Sequence, residues 1–343
     1  MTLRSLIGAF GLFLAAAVLG NIWEHSGTTT LETTLSRSSF TSGPAPQRQN
    51  QRRWVTPKYH LVWRMPTSLA HLEKSLVLKP NRDGRLFAAD LATNRIVEIS
   101  EQGQPVKTYV LPARPAAQLA DFSFDDSGHL LAADRSGRHI YVYDLPEGRL
   151  VKSISTLPRP TRIASAHDSI FMLSPYPHHD LFWRLSSGSG AATFGQLLRP
   201  TDETQLALDG WLGSAQGRVV YSSMHAGLIA AFDLKGSPLY LRETIDPAPL
   251  PPVIKDAQGN FWVSHEYDRG ARNMIVEEAG LVHLFVGLGR GSKEIGAIDT
   301  YRGSDGEYLY SQRLPEPTRQ VWLSQANAYT VAGDQVAKWT VDL

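Results

Sequence analysis

The chain has 343 residues, 42% hydrophobic, 9% aromatic and 20% charged, enough apolar material for a large core and too much for wholesale disorder. Its 34 basic and 33 acidic side chains leave a formal charge of +1, so nothing global favours nucleic acid or an acidic polymer as partner. Cysteine is absent, which removes disulfides, thiolate metal sites, cysteine nucleophiles and anchoring through a lipidated cysteine.

At the amino terminus, Arg4 precedes an uncharged apolar run from Leu6 to Leu19. A positive residue followed by an apolar stretch of this length has the form of an export signal. The run is shorter than the ~20 residues of a comfortable membrane span, although Ile22 and Trp23 extend it across Asn21. Residues 1–25 are therefore read as a signal peptide or a membrane anchor, with a buried terminal helix as the alternative. Either of the first two readings puts the bulk of the chain outside the cytoplasm: periplasmic, secreted, or tethered to the membrane by this segment. Residues 26–58, rich in Ser, Thr, Gly, Pro, Gln and Arg, are predicted to be a disordered linker, because they cannot bury enough apolar surface to offset their ordering entropy. Arg48, Arg52 and Arg53 are read as solvated there, with contact to anionic headgroups as the alternative.

From residue 59 the chain repeats. Six segments share one plan, an apolar strand, a polar turn, then a second apolar strand: Leu76–Asp90, Phe122–Asp134, Arg162–Leu173, Trp211–Ser223, Val253–His265 and Val321–Gly333. Taking Gly84, Gly128, Asp168, Gly217, Gly259 and Asn327 as register marks, the steps between them are 44, 40, 49, 42 and 68. Most hairpins are followed by a second strand pair, as in Arg95–Pro112, His139–Pro158, Leu228–Ile245 and Ile295–Pro315. Steps of this size with about four strands each predict an all-β fold, a six-bladed β-propeller over 59–343. The last unit ends one strand short at Val336–Leu343, and a spare strand, Tyr59–Pro66, precedes the first. The amino-terminal strand is expected to complete the carboxy-terminal blade, closing the ring. The long final step places an insertion at 266–293, expected either to overhang one mouth of the channel or to form an extra strand pair on the rim.

Two segments, AADLATNRIVEIS (Ala88–Ser100) and AADRSGRHIYVYD (Ala132–Asp144), resemble the core of an NHL repeat, with an Asp, a short loop and then Asn-Arg-Ile or Arg-His-Ile opening the next strand. Specific motifs cover the first two blades; the others match in strand plan alone. The resemblance implies a six-bladed propeller of the NHL or TolB-like kind, in which Asp90 and Arg95 form a structural pair. It also implies a functional range of lactonase-type hydrolases, a zinc-dependent amidating lyase, and plain binding or scaffold modules. Fold alone does not choose among these.

Aligning the hairpins brings Asp90, Asp134, Pro175, Met224, His265 and Ala332 to equivalent places at one channel mouth, with His225, Glu266 and Asp334 beside them. Imidazole and carboxylate groups converging on a cavity suit ligand binding. His225, His265 and Glu266 are the candidates for a divalent cation such as Ca or Zn, although no cofactor is predicted. His178 and His179 are read as an exposed loop pair, and Gly287–Gly291 lacks the lysine and hydroxyl of a phosphate loop. No G-x-S-x-G elbow or H-E-x-x-H helix is present. The expected function is a monomeric, non-catalytic propeller binding a small molecule, peptide or protein across the mouth lined by Asp90, Asp134, His225, His265, Glu266 and Asp334. The alternative is a metal-dependent hydrolase or lyase built on the same mouth.

Overall fold

The computed structural model describes residues 52–73, 76–112, 117–176, 180–186, 190–195, 198, 205–246, 248, 250–264, 270–287, 295–324 and 326–342. The expected signal or anchor at 1–25 and most of the linker lie outside these residues.

The protein is a six-bladed, all-β propeller. Strands β1 (Trp54–Val55) and β2 (Lys58–Pro66) come first. Blade 1 is β3 to β6 (Leu76–Pro80, Leu86–Asp90, Arg95–Ile99, Pro105–Val110), and blade 2 is β7 to β10 (Leu119–Phe124, Leu130–Asp134, His139–Tyr143, Leu150–Ser155). Blade 3 is β11 to β14 (Arg162–Ala166, Ser169–Leu173, Phe182–Ser186, Gly190–Phe194), and blade 4 is β15 to β18 (Gly210–Ala215, Arg218–Ser223, Leu228–Asp233, Pro238–Glu243). A separate hairpin follows, β19 (Val253–Lys255) and β20 (Phe261–Val263). Blade 5 is β21 to β24 (Asn273–Val276, Leu281–Val286, Ala297–Arg302, Tyr308–Gln312), and blade 6 starts with β25 to β27 (Gln320–Leu323, Asn327–Ala332, Gln335–Asp342). Every blade is an antiparallel meander.

The ring closes as the strand count requires. β2 pairs antiparallel with β27 from Lys58↔Asp342 to Pro66↔Gln335, so the first long strand supplies the outer strand of the last blade. Burial follows position in the blade. The second strands LFAAD and LLAAD are buried along their whole length, because each lies inside its sheet and is packed on both faces. The outer strand Leu150–Ser155 is almost wholly exposed.

Among the described residues, six apolar clusters lie one at each seam between blades. One joins Phe87, Tyr109 and Phe122 across blades 1 and 2, and another joins Phe171, Phe182 and Phe232 across blades 3 and 4. The closing seam joins Leu78, Leu86 and Val97 of blade 1 to Tyr329, Val331 and Val336 of blade 6. Because each seam buries side chains from both neighbours, no blade is complete alone, and closure removes the last open face.

Two expectations are corrected. The Val253–His265 hairpin is not the inner pair of blade 5. That pair is β21 and β22, built from residues that the sequence reading assigns to an insertion at 266–293. With Gly280 (φ +84°) as the blade 5 turn, the excess moves ahead of the blade: 280 − 217 = 63, then 327 − 280 = 47. The physical reason is that alternation with a glycine turn identifies a hairpin but not a buried one. β21 and β22 are mostly buried, whereas β19 and β20 are half-buried or exposed throughout. The second correction concerns the linker, which reaches the body earlier than residue 59. β1 adds a fifth, parallel strand to blade 5 with Trp54 opposite Ser311. Arg52, read as solvated, instead engages Asp299 at 2.9 Å and also Asp246.

Candidate functional site

Antiparallel connectivity puts the loops between second and third strands, and the connectors between blades, on one face of the ring. Of the sequence-derived mouth residues, Asp90, Asp134, His225 and Asp334 fall there. Asp90 ends β4 and is buried; its carboxylate accepts the amides of Ala92 (3.0 Å), in its own turn, and Glu73 (2.8 Å), in the connector into its own blade. Asp134 repeats the device in blade 2, accepting from Gly137 and Gln118, both at 2.9 Å. These carboxylates latch each turn to the connector beside it, which places both blade mouths. Asp90 and Arg95 are register partners on β4 and β5.

The same position in blade 4 is Ser223, since Gly210↔Ser223 matches Leu76↔Asp90 and Leu119↔Asp134. Its hydroxyl accepts the His225 and Ala226 amides at 3.1 and 3.0 Å and donates to the Ala207 carbonyl at 3.5 Å. A serine thus takes the place of the aspartate, a substitution that motif matching misses because the residue type changes while the hydrogen bonds remain.

His225 is half-buried in the turn that follows Ser223. Asp334 is exposed in the blade 6 turn, where its carbonyl accepts the Thr67 amide at 2.7 Å. His265 and Glu266 lie outside the described residues, as do His178, His179 and residues 288–291. Their expected equivalence to the blade 5 mouth no longer holds, because β22, not β20, is that blade's second strand. Among the described residues, no three His, Cys, Asp or Glu side chains group in a way that could hold a metal.

What the sequence reading did not anticipate is that the Val253–Val263 hairpin stands on this face outside every blade. Leu250, just ahead of it, packs on the cluster at the seam of blades 3 and 4. β20 touches the 3-10 turn Gln205–Leu208, which leads into blade 4. The returning chain passes so close to blade 4 that a Cβ at Gly270 would lie 2.2 Å from the Met224 carbonyl oxygen. The Trp211 indole then donates to the Ala271 carbonyl at 2.7 Å. The Arg162 guanidinium, from the first strand of blade 3, stacks 4.3 Å from the Trp211 ring. The ring is continuous without the hairpin, since β11 of blade 3 contacts β15 of blade 4 and β15 contacts β21 of blade 5 directly.

The hairpin's outward side is apolar, with Trp262 58% and Ile254 42% exposed. Asp256, in the turn, accepts the Trp262 indole N–H at 3.0 Å together with the Asn260 side chain and the Asn260 and Gln258 amides. These donors, the Trp262 indole first, hold its carboxyl down at about 2. The turn therefore fixes the indole by its polar edge and leaves its ring facing solvent. The sequence signal that could have separated this hairpin from a blade is its approach, a run of four prolines in Pro247–Pro252, followed by a second glycine-turn hairpin at Asn273–Val286.

No family model matches the sequence, and no curated protein matches it. Among solved structures the chain is similar to virginiamycin B lyase from Staphylococcus aureus, with 11% identity, 82% of this chain and 99% of that chain covered, and a TM-score of 0.52. It is similar to a streptogramin B lyase at 10% identity, 82% and 98% coverage and a TM-score of 0.54. The propeller domain of Cps50 (Swd1) from Myceliophteria thermophila gives 9% identity, 82% and 99% coverage and 0.51. At such identities the likeness is one of fold alone, and lyases share it with a propeller domain of another name.

Proposed function

We propose that this chain is an exported, non-catalytic propeller that captures a protein or peptide partner on the face carrying the Val253–Val263 hairpin. The observation that carries the reading is the hairpin itself. It belongs to no blade, lies over a seam that is already closed, and presents Trp262 and Ile254 to solvent. Exposed aromatic and aliphatic side chains on a pinned support have the character of interface anchors, because little side-chain entropy is lost when they are covered. In this reading Asp90 and Asp134 hold the mouth in shape, and His225 and Asp334 supply its polar rim. The NHL-like turns of blades 1 and 2 support kinship with six-bladed NHL and TolB-like propellers. The Arg4 and Leu6–Leu19 pattern supports export, with the partner met outside the cytoplasm.

The test is site-specific photocrosslinking from position 262 in intact cells, with position 239 on the outer strand of blade 4 as the control. Leu239 is similarly exposed, at 43%. A discrete adduct from 262 alone, lost when Ile254 is changed to Ser, supports the reading. Equal labelling from both positions, or none from 262, removes it.

A further inference from the structure

Among the described residues two tryptophans are exposed, Trp262 on the hairpin and Trp54 on β1, and no Phe or Tyr is. Trp54 stands on another part of the molecule, the outer rim at the seam of blades 5 and 6. β1 is the outermost strand of blade 5, and β2 is the outermost strand of blade 6. Two residues join them, Thr56 and Pro57. Tyr59 and Leu61 on β2 are opposite Val341 and Trp339, which pack in the cluster shared with Phe285 and Ile298 of blade 5. Register partners share a side of the sheet, so Leu61 faces blade 5, where β1 lies. The register then shifts at Val62, and Trp63 and Met65 turn to the blade 1 side.

This stretch of rim is apolar and basic together. Trp54, Val55, Leu61 and Val62 are 44%, 37%, 51% and 49% exposed. Arg53, Lys58 and Arg313 are exposed beside them, and the Arg313 guanidinium stacks 4.8 Å from the centre of the Trp54 ring. Among the described residues none of these three cations pairs with a carboxylate. The nearby Glu316 and Asp342 are engaged by Arg64 at 2.8 Å and His60 at 3.3 Å. The outer strands of blades 1 and 2 also expose aliphatic side chains, Val106 and Val151 among them, but no aromatic one.

We infer that this rim is a docking surface for a membrane carrying anionic phospholipid. An indole and aliphatic side chains flanked by Lys and Arg suit the boundary between acyl chains and headgroups, where the ring meets both apolar and polar surroundings. Each cation held near an anionic surface strengthens binding by about fivefold. The course of the chain favours a bilayer over a protein as occupant. The amino-terminal chain enters the fold at this rim, through Arg52, and residues 20–51 separate it from the apolar run that ends at Leu19. A flexible chain of that length, about 30 residues, averages about 30 Å from end to end, so a membrane holding the run is within reach of Trp54. The inference shares with the proposed function the exported placement of the chain and adds a second surface. The hairpin stands on the mouth face, so the two surfaces can be occupied at once.

The test uses the full chain, whose lack of cysteine lets a single introduced thiol carry a polarity-sensitive fluorophore. Val62→Cys places the probe on the rim, and Val151→Cys, 53% exposed in the native chain on the outer strand of blade 2, is the control with the same tether. Each is mixed with phosphatidylcholine vesicles, with and without phosphatidylglycerol, that contain a nitroxide-labelled lipid. With phosphatidylglycerol present, the probe at 62 is expected to shift to the blue and to be quenched several-fold more strongly than the probe at 151. Arg53→Glu with Lys58→Glu is expected to bring the signal at 62 down to that at 151, with Tm unchanged. Equal quenching at both positions, none at 62, or the same quenching at 62 without phosphatidylglycerol overturns the surface. A probe at 62 already shifted to the blue without vesicles assigns the rim to a second copy of the chain and overturns it too. None of these outcomes bears on crosslinking from position 262, so the two readings fail separately.

Discussion

Lys79 on the innermost strand of blade 1 reaches Asp121 on the innermost strand of blade 2, Nζ to Oδ1 2.7 Å. The other carboxylate oxygen accepts the Ile163 amide of blade 3 at 3.0 Å, so one buried aspartate links three blades near the axis. A bulge between Leu119 and Asp121 interrupts the register where this side chain is placed. Removing the lysine strands a buried carboxylate. Lys79→Met is expected to cost about 3–5 kcal/mol, and Asp121→Asn added to it recovers part of that loss. Urea denaturation of the single and double variants measures both; a single-variant loss below about 1 kcal/mol would mean the carboxylate is solvated.

Arg52 and Asp299 form a comparable pair at the edge of the fold. Asp299 is 1% exposed, and its burial raises its carboxyl above the ordinary value of 3.8, against the opposing pull of Arg52 and Ser311. Because the folded state then holds its proton more tightly than the unfolded chain, this group's contribution to stability is full below about 3.8 and declines as pH rises through the raised value. Arg52→Ala removes an opposing cation and raises the carboxyl further. The variant is therefore expected to lose more stability at pH 7.5 than at pH 4.5, the difference read from denaturation midpoints at about those two values. An equal loss at both would show that the guanidinium acts only through packing.

Closure by β2 makes a truncation series informative. A chain starting at Arg52 retains every amino-terminal contact seen among the described residues, and its Tm is expected to match the full chain. A chain starting at Thr67 loses β1 and β2, leaves blade 6 with three strands, and bares the edge of the eight-residue β27. Loss of soluble monomer is expected, because an unpaired edge of that length recruits other chains. Size-exclusion chromatography distinguishes the outcomes; a stable monomer from the shorter chain would show that closure is dispensable.

Trp262→Phe keeps the apolar ring and removes the indole N–H that Asp256 accepts. The Asp256 carboxyl is expected to move up from about 2 toward its ordinary 3.8. Carboxyl NMR titration reads this directly. An unmoved titration would mean that the Asn260 and Gln258 donors suffice, and that the indole is not pinned as a docking side chain requires.

Much of the architecture follows from local pattern. Each hairpin carries its own alternation and turn, so five of the six inner pairs and the joining of Tyr59–Pro66 to the last blade are readable without coordinates. Three features are not local. Whether Val253–Val263 or Asn273–Val286 enters the ring depends on which pair can be covered on both faces, and that is a property of the neighbouring blades. The roles of Asp90, Asp134 and Ser223 depend on which connector amides lie beside them, and blade-to-blade packing decides that. The buried polar side chains Glu277, His283 and Gln312 come from the turn after β21 and from β22 and β24, whose lateral pairing no spacing in the chain encodes. Periodicity determines strands and their count; only the closed ring determines which polar atoms meet, because burial and long-range proximity arise when the blades pack together.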